Sequence, residues 1–360
     1  MKTEHKIYIG VVILALLVGA VFWRSKSSSQ EDAKHAAPAT SGSMPVIKLA
    51  ADDVDKITKV SVKNADKEEV VLEKKNDAWA VAKPVAAKAA EANVKSLLDN
   101  LKALEIKDAI NDTPQAPSMY KEYDLEADKA VHVIAYKGDS VAVDLWFGKS
   151  GSRGQMARIA DKPGIWVVGG YSAFQFTRAL KEWRDKQILK FEDANVANVT
   201  MTNEAGAYSF SKNGEAWTAT FNKKAIERFD PEKVKDMLRA FRALNAEDFG
   251  DGKSDADLGL DAPASTVVIT LKDNGGTYTV KVGKVSSGTS RYARKDGDGT
   301  AYIIGSWTAD WAVAKAEKFQ KPDEKNKDAG ADGGKDAKGP PGMPPGMPPG
   351  MMMGGDDDEH

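Results

Sequence analysis

The sequence predicts an α+β protein of two tandem modules behind one amino-terminal transmembrane helix. Each module is an antiparallel β-meander, a helix and a second β-meander. Three observations predict this fold class: an amphipathic helix occurs twice, a tryptophan-bearing strand pattern precedes each helix, and alternating strand patterns follow each helix. The length agrees, because 360 residues are enough for two ordinary domains with additional terminal segments.

The repeated helix is the clearest element. The segment "EANVKSLLDNLKAL" begins at Glu91, and its apolar residues recur at the spacing of one helical face, about four turns long. Adding 140 to each position gives a second apolar set, which Asp230 and Pro231 precede as a typical N-cap and first helical residue. The two sets are Val94, Leu97, Leu98, Leu101 and Leu104, and Val234, Met237, Leu238, Phe241 and Leu244.

Alternating apolar and polar residues flank both helices. Upstream, "KITKVSVKNADKEEVVLEKKNDAWAVAKP" resembles "VANVTMTNEAGAYSFSKNGEAWTATFNKK", which places Trp79 opposite Trp217 and predicts a three-stranded meander in each copy. Downstream, the segment that begins at Tyr123 corresponds to the one that begins at Leu258. The residue numbers differ by 135 at first and by 136 further along. The two segments predict four more strands in each copy, followed by a short helical segment with aromatic residues, and they align His132 with Val267.

The composition predicts the limits of the domains. A stretch rich in Ser, Ala and Pro separates the first helix from the modules, and such stretches bury too little apolar surface to fold. The tail contains "GPPGMPPGMPPGMMMGGDDDEH", whose methionines break the collagen period and are soft ligands for Cu(I) without an ordered site. We expect an anchor at 1–24, a disordered tether at 25–53, modules at 54–190 and 191–320, and a disordered Pro/Gly/Met-rich acidic tail at 321–360.

The predicted anchor is an uncharged run at residues 7–23. A helix of this length covers roughly 26 Å, just under the roughly 30 Å hydrocarbon thickness of a bilayer. A cleaved signal peptide is the alternative, but Val21, Phe22 and Trp23 are poor substitutes for a small-x-small cleavage site. The run therefore predicts a single-pass signal anchor with the bulk of the chain outside the cytoplasm.

The composition also excludes several classes of function. The formal charge is −2, from 51 basic and 53 acidic residues, so no net positive field attracts nucleic acid. The chain has no cysteine, which excludes disulfides, thiolate catalysis and cysteine-ligated zinc. We expect no nucleic-acid partner and no cofactor.

No pattern in the sequence is typical of an active site. His132 is the one histidine inside a predicted module, and no "GxSxG" motif lies near it, so an ordinary strand histidine is the favoured interpretation. The acidic runs "DGKSDADLGLD" and "RKDGDGT" lack the spacing of an EF-hand and favour turns. Gly148-Lys149 and Gly283-Lys284 lack the Walker pattern and are predicted to be strand-ending turns. We expect no enzyme, and no catalytic or metal-binding residue.

Aromatic side chains are the remaining candidates for a functional surface. Tryptophan faces bind sugars and proteins, although most are expected in the core. The candidate binding-surface aromatics are Trp146, Trp183, Trp307 and Trp311.

The order of these features resembles a known bacterial family, the domain of unknown function 4340, over roughly Val54 to Phe319. The first copy departs from the pattern at Tyr123-Asp124-Leu125, where the second copy has Leu258-Gly259-Leu260. The resemblance implies an accessory protein of the cell envelope, because members are often encoded beside ABC-transporter components of the gliding-motility type. It implies an inner-membrane protein with its bulk in the periplasm, and no known catalytic residue. The motifs are "AWAV" or "AWTA", "NVKSLLDNLKAL", "LGLDAP", "VGK", "YARKDGDGTAYII" and "WRDKQIL".

Three classes of function follow from the sequence. The first is a membrane-anchored extracytoplasmic accessory protein that binds or scaffolds an ABC-type transporter or envelope complex. An alternative is a cell-wall or polysaccharide binding module, which exposure of Trp146, Trp183 and Trp311 would favour. A second alternative is a carboxylate-dependent hydrolase, which requires a cleft with two acids about 5 to 9 Å apart.

Overall fold

The computed structural model describes residues 44–322 of the chain. The predicted anchor at 1–24, the predicted tether up to residue 43 and the tail beyond residue 322 lie outside the described residues. Within residues 44–322, no helix combines the length and the apolar character that a membrane span requires.

Nine strands form the first antiparallel sheet, in the order β4-β3-β2-β1-β6-β7-β8-β9-β5 once they are numbered along the chain. The sheet and the helix at Glu91–Ala103 together are called the first module. The strands are β1 (Lys59–Lys63), β2 (Val70–Lys75), β3 (Ala78–Lys83), β4 (Ala87–Lys88), β5 (Glu105–Asn111), β6 (Val131–Lys137), β7 (Ser140–Gly151), β8 (Gly154–Ile159) and β9 (Lys162–Gly169).

A second nine-stranded antiparallel sheet repeats this order as β13-β12-β11-β10-β15-β16-β17-β18-β14. With the helix at Pro231–Phe241 it is called the second module. The equivalent orders confirm the α+β class and the duplicated antiparallel architecture. The strands are β10 (Val196–Asn203), β11 (Gly206–Asn213), β12 (Ala216–Phe221), β13 (Lys224–Ala225), β14 (Asp248–Phe249), β15 (Ser265–Leu271), β16 (Thr277–Ser287), β17 (Ser290–Lys295) and β18 (Tyr302–Ile304).

Within residues 44–322, the helices are short except for the repeated pair that begins at Glu91 and Pro231. The α-helices are α1 (Glu91–Ala103), α2 (Ala173–Phe176), α3 (Leu180–Trp183), α4 (Pro231–Phe241), α5 (Asp255–Leu258) and α6 (Ser306–Ala312). Four 3-10 helices lie at Ala51–Lys56, Ala116–Tyr123, Asp193–Asn195 and Ala316–Phe319.

Each sheet has two strands more than the sequence predicts. The prediction has three strands before each helix and four after it, whereas the structure adds β4 and β5 in the first module and β13 and β14 in the second. Three of these strands are two residues long, too short for a strand pattern. The fourth, β5, follows α1 directly and pairs with β9 at the far edge of the sheet.

Both repeated helices bury the predicted apolar face. Leu97 and Leu101 of α1 are fully buried, and so is Val234 of α4. Burial of one such side chain stabilises the fold by about 1.5–3 kcal/mol. Leu104 and Leu244 are also buried, but they lie beyond the last residue of their helices. The common stripe therefore attaches each helix to its own module.

The two helices begin with different caps. Asp230 caps α4 as predicted, since its Oδ1 accepts a hydrogen bond of 3.1 Å from the Glu232 N–H. Ala90 occupies the N-cap position of α1 and has no polar side chain. The Glu91 carboxylate instead accepts a hydrogen bond of 2.7 Å from the Trp79 N–H, which ties the helix to β3.

The first module begins earlier than the predicted limit of the tether at residue 53. Ile47 and Leu49 are buried in the main core cluster, and the Leu49 N–H donates to the Leu101 carbonyl over 3.1 Å. Burial alternates along this segment as in a strand: Val46 and Lys48, on either side of Ile47, are exposed, whereas Ile47 and Leu49 are buried. Residues 47–53 therefore belong to the folded module rather than to a disordered tether.

The chain divides into two compact units. In the part that the structure describes, the first unit comprises residues 44–190, Ala243–Lys253 and Gly299–Gly305, and therefore includes β14 and β18. The second unit comprises Phe191–Arg242, Ser254–Asp298 and the chain from Ser306.

Candidate functional site

Four partly exposed side chains form a row across the first sheet, which we call the outer row. Register places Lys63 opposite His132, His132 opposite Trp146, and Trp146 opposite Arg158, on β1, β6, β7 and β8. Their neighbours along the strands, such as Val133 and Leu145, are buried in the core beside α1. Because successive side chains point to opposite faces, the outer row lies on the face away from α1.

Trp146 lies at the centre of the outer row between two planar cation-forming groups. The His132 ring stacks on it with a centroid distance of 3.7 Å and an interplanar angle of 11°. The Arg158 guanidinium carbon lies 4.1 Å from the centre of the Trp146 ring. The two groups come from the strands on either side of β7, so they cover the two faces of the indole.

Further contacts hold both ends of this stack. His132 Nε2 lies 2.7 Å from the Asp144 carboxylate, which is diagonal to it across β6 and β7. Arg158 Nε donates a hydrogen bond of 2.9 Å to the Leu125 carbonyl, and its guanidinium lies 5.0 Å from the Tyr120 ring. Burial lowers the pKa of Arg158, while Tyr120 and Asp144 act in the opposite direction. The side chains of the outer row are therefore held in place.

The outer row combines a His–Asp pair with an indole ring and a guanidinium. A His–Asp pair serves hydrolysis when a hydroxyl or thiol nucleophile hydrogen-bonds to the same imidazole. In residues 44–322, Asp144 is the hydrogen-bond partner of His132, and no group of three or more His, Asp or Glu side chains could hold a metal ion. The outer row presents aromatic edges, a guanidinium and a carboxylate on one face of the sheet.

The equivalent row of the second module has different chemistry. In the second sheet, Thr266 of β15 lies opposite Lys281 of β16, and in the first sheet His132 of β6 lies opposite Trp146 of β7. Thr266 is therefore the structural counterpart of His132. The sequence alignment with Val267 is wrong by one residue, and Val267 is fully buried in the core. The second row consists of Thr202, Thr266, Lys281 and Arg294.

A turn beside each row has the same backbone geometry in both modules. In the first, the Leu125 N–H donates to the Tyr120 carbonyl over 2.9 Å, across Asp124 with φ of 55°. In the second, the Leu260 N–H donates to the Asp255 carbonyl over 2.8 Å, across a left-handed glycine. Tyr120 and Asp255 therefore occupy equivalent positions next to the arginine of each row.

The second module forms a charge pair where the first has an aromatic contact. Arg294 donates to the Asp255 carboxylate over 2.7 Å, and this hydrogen bond is the main reason why the pKa of Asp255 is lowered. Both modules thus fix an arginine on β8 or β17, with different partners.

A family model described as "Domain of unknown function (DUF4340)" matches residues 79–263 and 252–329, which together are more than half of the chain. The chain belongs to this family. No curated protein and no solved structure matches it. The family description specifies no reaction or ligand, so the site of this DUF4340 protein is described from its own residues.

Two of the four predicted surface tryptophans of the DUF4340 chain are buried. Trp183 is fully buried in the main core cluster, and Trp311 packs against Phe319 with 5 % of its surface exposed. Trp146 is partly exposed in the outer row, and Trp307 is 57 % exposed on α6. The prediction is therefore wrong for Trp183 and Trp311, whose side chains are buried among other apolar side chains, whereas Trp307 lies on the outward side of the same helix as Trp311.

The Gly-Lys pairs of the DUF4340 chain lie inside β7 and β16 rather than in strand-ending turns. A Cβ at Gly148 would lie 2.1 Å from the Tyr123 carbonyl oxygen, and one at Gly283 would lie 2.2 Å from the Leu258 carbonyl oxygen. Glycine is needed because the left-handed turn beside each row approaches the strand at this point. The motif therefore has a packing role in both modules.

Sequence reasoning missed Arg184, the most buried charged residue of the DUF4340 chain among those described, which is 3 % exposed. Its guanidinium carbon lies 3.5 Å from the centre of the Phe249 ring, and it forms an ion pair with Asp251. Nearby, Lys181 pairs with Asp248 over 3.1 Å. Since all these residues belong to the first compact unit, the "WRDKQIL" motif stabilises that unit.

Proposed function

We propose that this DUF4340 protein is a single-pass membrane-anchored extracytoplasmic accessory protein. Residues 7–23 anchor it in the bacterial inner membrane, and the outer row of the first module binds a protein of an ABC-type transporter or envelope complex. The single observation that supports binding most strongly is the stack of His132, Trp146 and Arg158 on an accessible sheet face.

Three properties of the outer row support a protein partner. Tryptophan and arginine are enriched among the residues that contribute most to protein interfaces. The hydrogen bonds of His132 and Arg158 hold the side chains in place before binding, which reduces the entropy lost on association. The face also mixes charge with aromatic surface, as transient interfaces do.

Polysaccharide binding has less support. A sugar ring stacks on a free aromatic face, but His132 and Arg158 already cover the faces of Trp146. Trp183 and Trp311 are buried and offer no platform. A hydrolase has less support too. One groove of the second module contains two acids, Asp193 and Glu215, but Asp193 forms an ion pair of 3.1 Å with the Arg242 guanidinium.

Site-specific photo-crosslinking in the full-length chain tests the proposed interface. A photoreactive residue replaces Ile134, which is partly exposed on the outer face beside His132. The matched control replaces Val268, the equivalent position of the second module. We expect position 134 to capture an envelope or transporter protein, position 268 to capture none, and Trp146→Ala to abolish the crosslink. Equal capture at both positions, or capture at neither, contradicts the proposal.

The anchor is tested separately. We expect the full-length protein to resist alkaline extraction from membranes and a carboxyl-terminal alkaline phosphatase fusion to be active outside the cytoplasm. Deletion of residues 2–24 should release the protein from the membrane. A phosphatase fusion that stays inactive while the protein remains in membranes would place the bulk of the chain on the cytoplasmic side.

A further inference from the structure

The second module has a basic groove on the side of α4, separate from the rows on the sheet. Its volume is about 440 Å³, within the range of small-ligand sites. The residues that line it come from the 3-10 helix Asp193–Asn195, the hairpin of β11 and β12, α4 with Arg242 directly after it, and Lys272 directly after β15. Five of them are cationic: Lys212, Lys235, Arg239, Arg242 and Lys272.

The groove concentrates positive charge that the chain as a whole lacks. The five cations face two acids, Asp193 and Glu215, in a protein whose formal charge is −2. Among the described residues, Lys212 and Lys272 form no ion pair. A local excess of positive charge attracts an anion even when the net charge does not.

The other three cations are held in weak pairs. Lys235 and Arg239 pair with acids one turn earlier on α4, at 2.7 and 2.6 Å, and Arg242 pairs with Asp193 at 3.1 Å. The side chains in these pairs are all at least one-third exposed. Exposed pairs of this kind contribute little stability, so an incoming anion can replace the carboxylate partner.

The first module has an acid where the second has one of these cations, at the matching position of the helix. Subtracting 140 from Arg239 gives Asp99, which neutralises Lys95 of the same helix at 2.8 Å. The strand pairing beside the helix is the same in both modules, because Lys74 lies opposite Trp79 in the first and Lys212 lies opposite Trp217 in the second. The exchange of an acid for an arginine at this position therefore adds to the positive charge of the groove in the second module.

We propose that this groove binds the phosphate group of a ligand. Planar guanidinium groups bind phosphate through two parallel hydrogen bonds, and the lysines add positive charge around it. Arg239 and Arg242 supply the guanidinium groups, while Lys212 and Lys272 supply cations that no carboxylate neutralises. This site does not depend on the proposed partner of the outer row, since it uses other residues of another module.

Calorimetry on the full-length protein in mild detergent tests the site, with pyrophosphate as the probe. We expect binding at low ionic strength that weakens as salt is added. Arg239→Asp should weaken it about tenfold or more, because a charge-assisted hydrogen bond is lost and an acid is introduced. Arg239→Lys keeps the positive charge but loses the two parallel hydrogen bonds of the guanidinium, so it should weaken binding less than Arg239→Asp does, which separates loss of the site from misfolding.

The matched control is Lys102→Asp, which makes the same change of charge at an exposed position of α1. We expect it to leave the affinity for pyrophosphate unchanged. No binding to the wild-type protein, or equal loss of affinity in Lys102→Asp and Arg239→Asp, would overturn the proposal.

Vesicles distinguish a lipid headgroup from a soluble phosphate compound. If phosphatidylglycerol vesicles bind the wild-type protein more tightly than phosphatidylcholine vesicles, and Arg239→Asp removes the difference, the phosphate belongs to a lipid. Binding of pyrophosphate without this preference assigns the groove to a soluble phosphate compound.

Discussion

The two modules have equivalent cores and differ on the face away from their helices. Leu101 and Phe241 occupy the same position of the repeated helix, and both are buried. On the opposite face, Trp146 stacks between a histidine and an arginine, whereas Lys281 occupies its position in the second module. The positions that fix the architecture remain apolar after duplication, and the positions that give each module its surface chemistry have changed.

The largest expected effect tests the equivalent cores of the two modules. Leu101→Ala and Phe241→Ala should each lower the free energy of unfolding by about 3 kcal/mol, since each removes a fully buried side chain and leaves a cavity. Amide hydrogen exchange should show the first loss of protection in β1–β3 for Leu101→Ala and in β10–β12 for Phe241→Ala.

An exposed position of the same helix provides the control for this pair. Lys102→Ala should change the stability by less than about 0.5 kcal/mol, because its side chain is exposed. If either core variant accelerated exchange equally in both sets of strands, the modules would not be separate cooperative units.

A smaller effect on stability distinguishes the outer row of the first module from the equivalent row of the second. Trp146→Ala should cost about 1–2 kcal/mol, because it removes a stacked ring and a cation–π contact. Lys281→Ala should stay within about 0.5 kcal/mol, since the lysine is exposed. Urea denaturation measures both, and equal costs would show that the stack adds no stability.

The architecture could be predicted because its signals are local. The helical spacing of Val94, Leu97 and Leu101 and the strand patterns around Trp79 and Trp217 are complete within short stretches of sequence. Those patterns predict which face of each element is buried without reference to the rest of the chain.

Trp146 could be predicted as a surface candidate, but the rest of the outer row could not, because it depends on register between distant strands. An alignment that pairs His132 with Val267 differs by one residue from the register, and one residue moves a side chain to the other face of a sheet. The diagonal contact with Asp144 and the stack with Arg158 exist only once three strands are paired. Arg184 is similar, since its partners lie more than sixty residues away along the chain.

The left-handed turns can be tested by exchanging their residues, so that each module receives the residue of the other. Gly259→Asp should destabilise the protein by about 1 kcal/mol, because a Cβ there would lie 2.7 Å from the Lys284 side chain in a backbone conformation that favours glycine. Asp124→Gly should stabilise it by about 0.5 kcal/mol, because φ of 55° strains an aspartate.

Thermal unfolding measures both members of this exchange. An Asp124→Gly variant that is less stable than the wild type would show that the aspartate side chain makes a contact worth more than the strain of its backbone.

The smallest expected effect concerns the pKa of Asp255 and the stability of the second module at low pH. The hydrogen bond from Arg294, together with the charge of Lys281, lowers the pKa of Asp255, so its contribution to stability is complete above the ordinary aspartate pKa of 3.8 and is lost as the pH falls through the lower folded value. The equivalent position of the first module is Tyr120, which carries no carboxyl group. Lys281→Trp should therefore raise the pKa of Asp255 toward 3.8, as measured by NMR of its carboxyl carbon. An unchanged titration would mean that Arg294 alone sets this pKa, and that the exchange of tryptophan for lysine between the two rows has no electrostatic consequence at the turn.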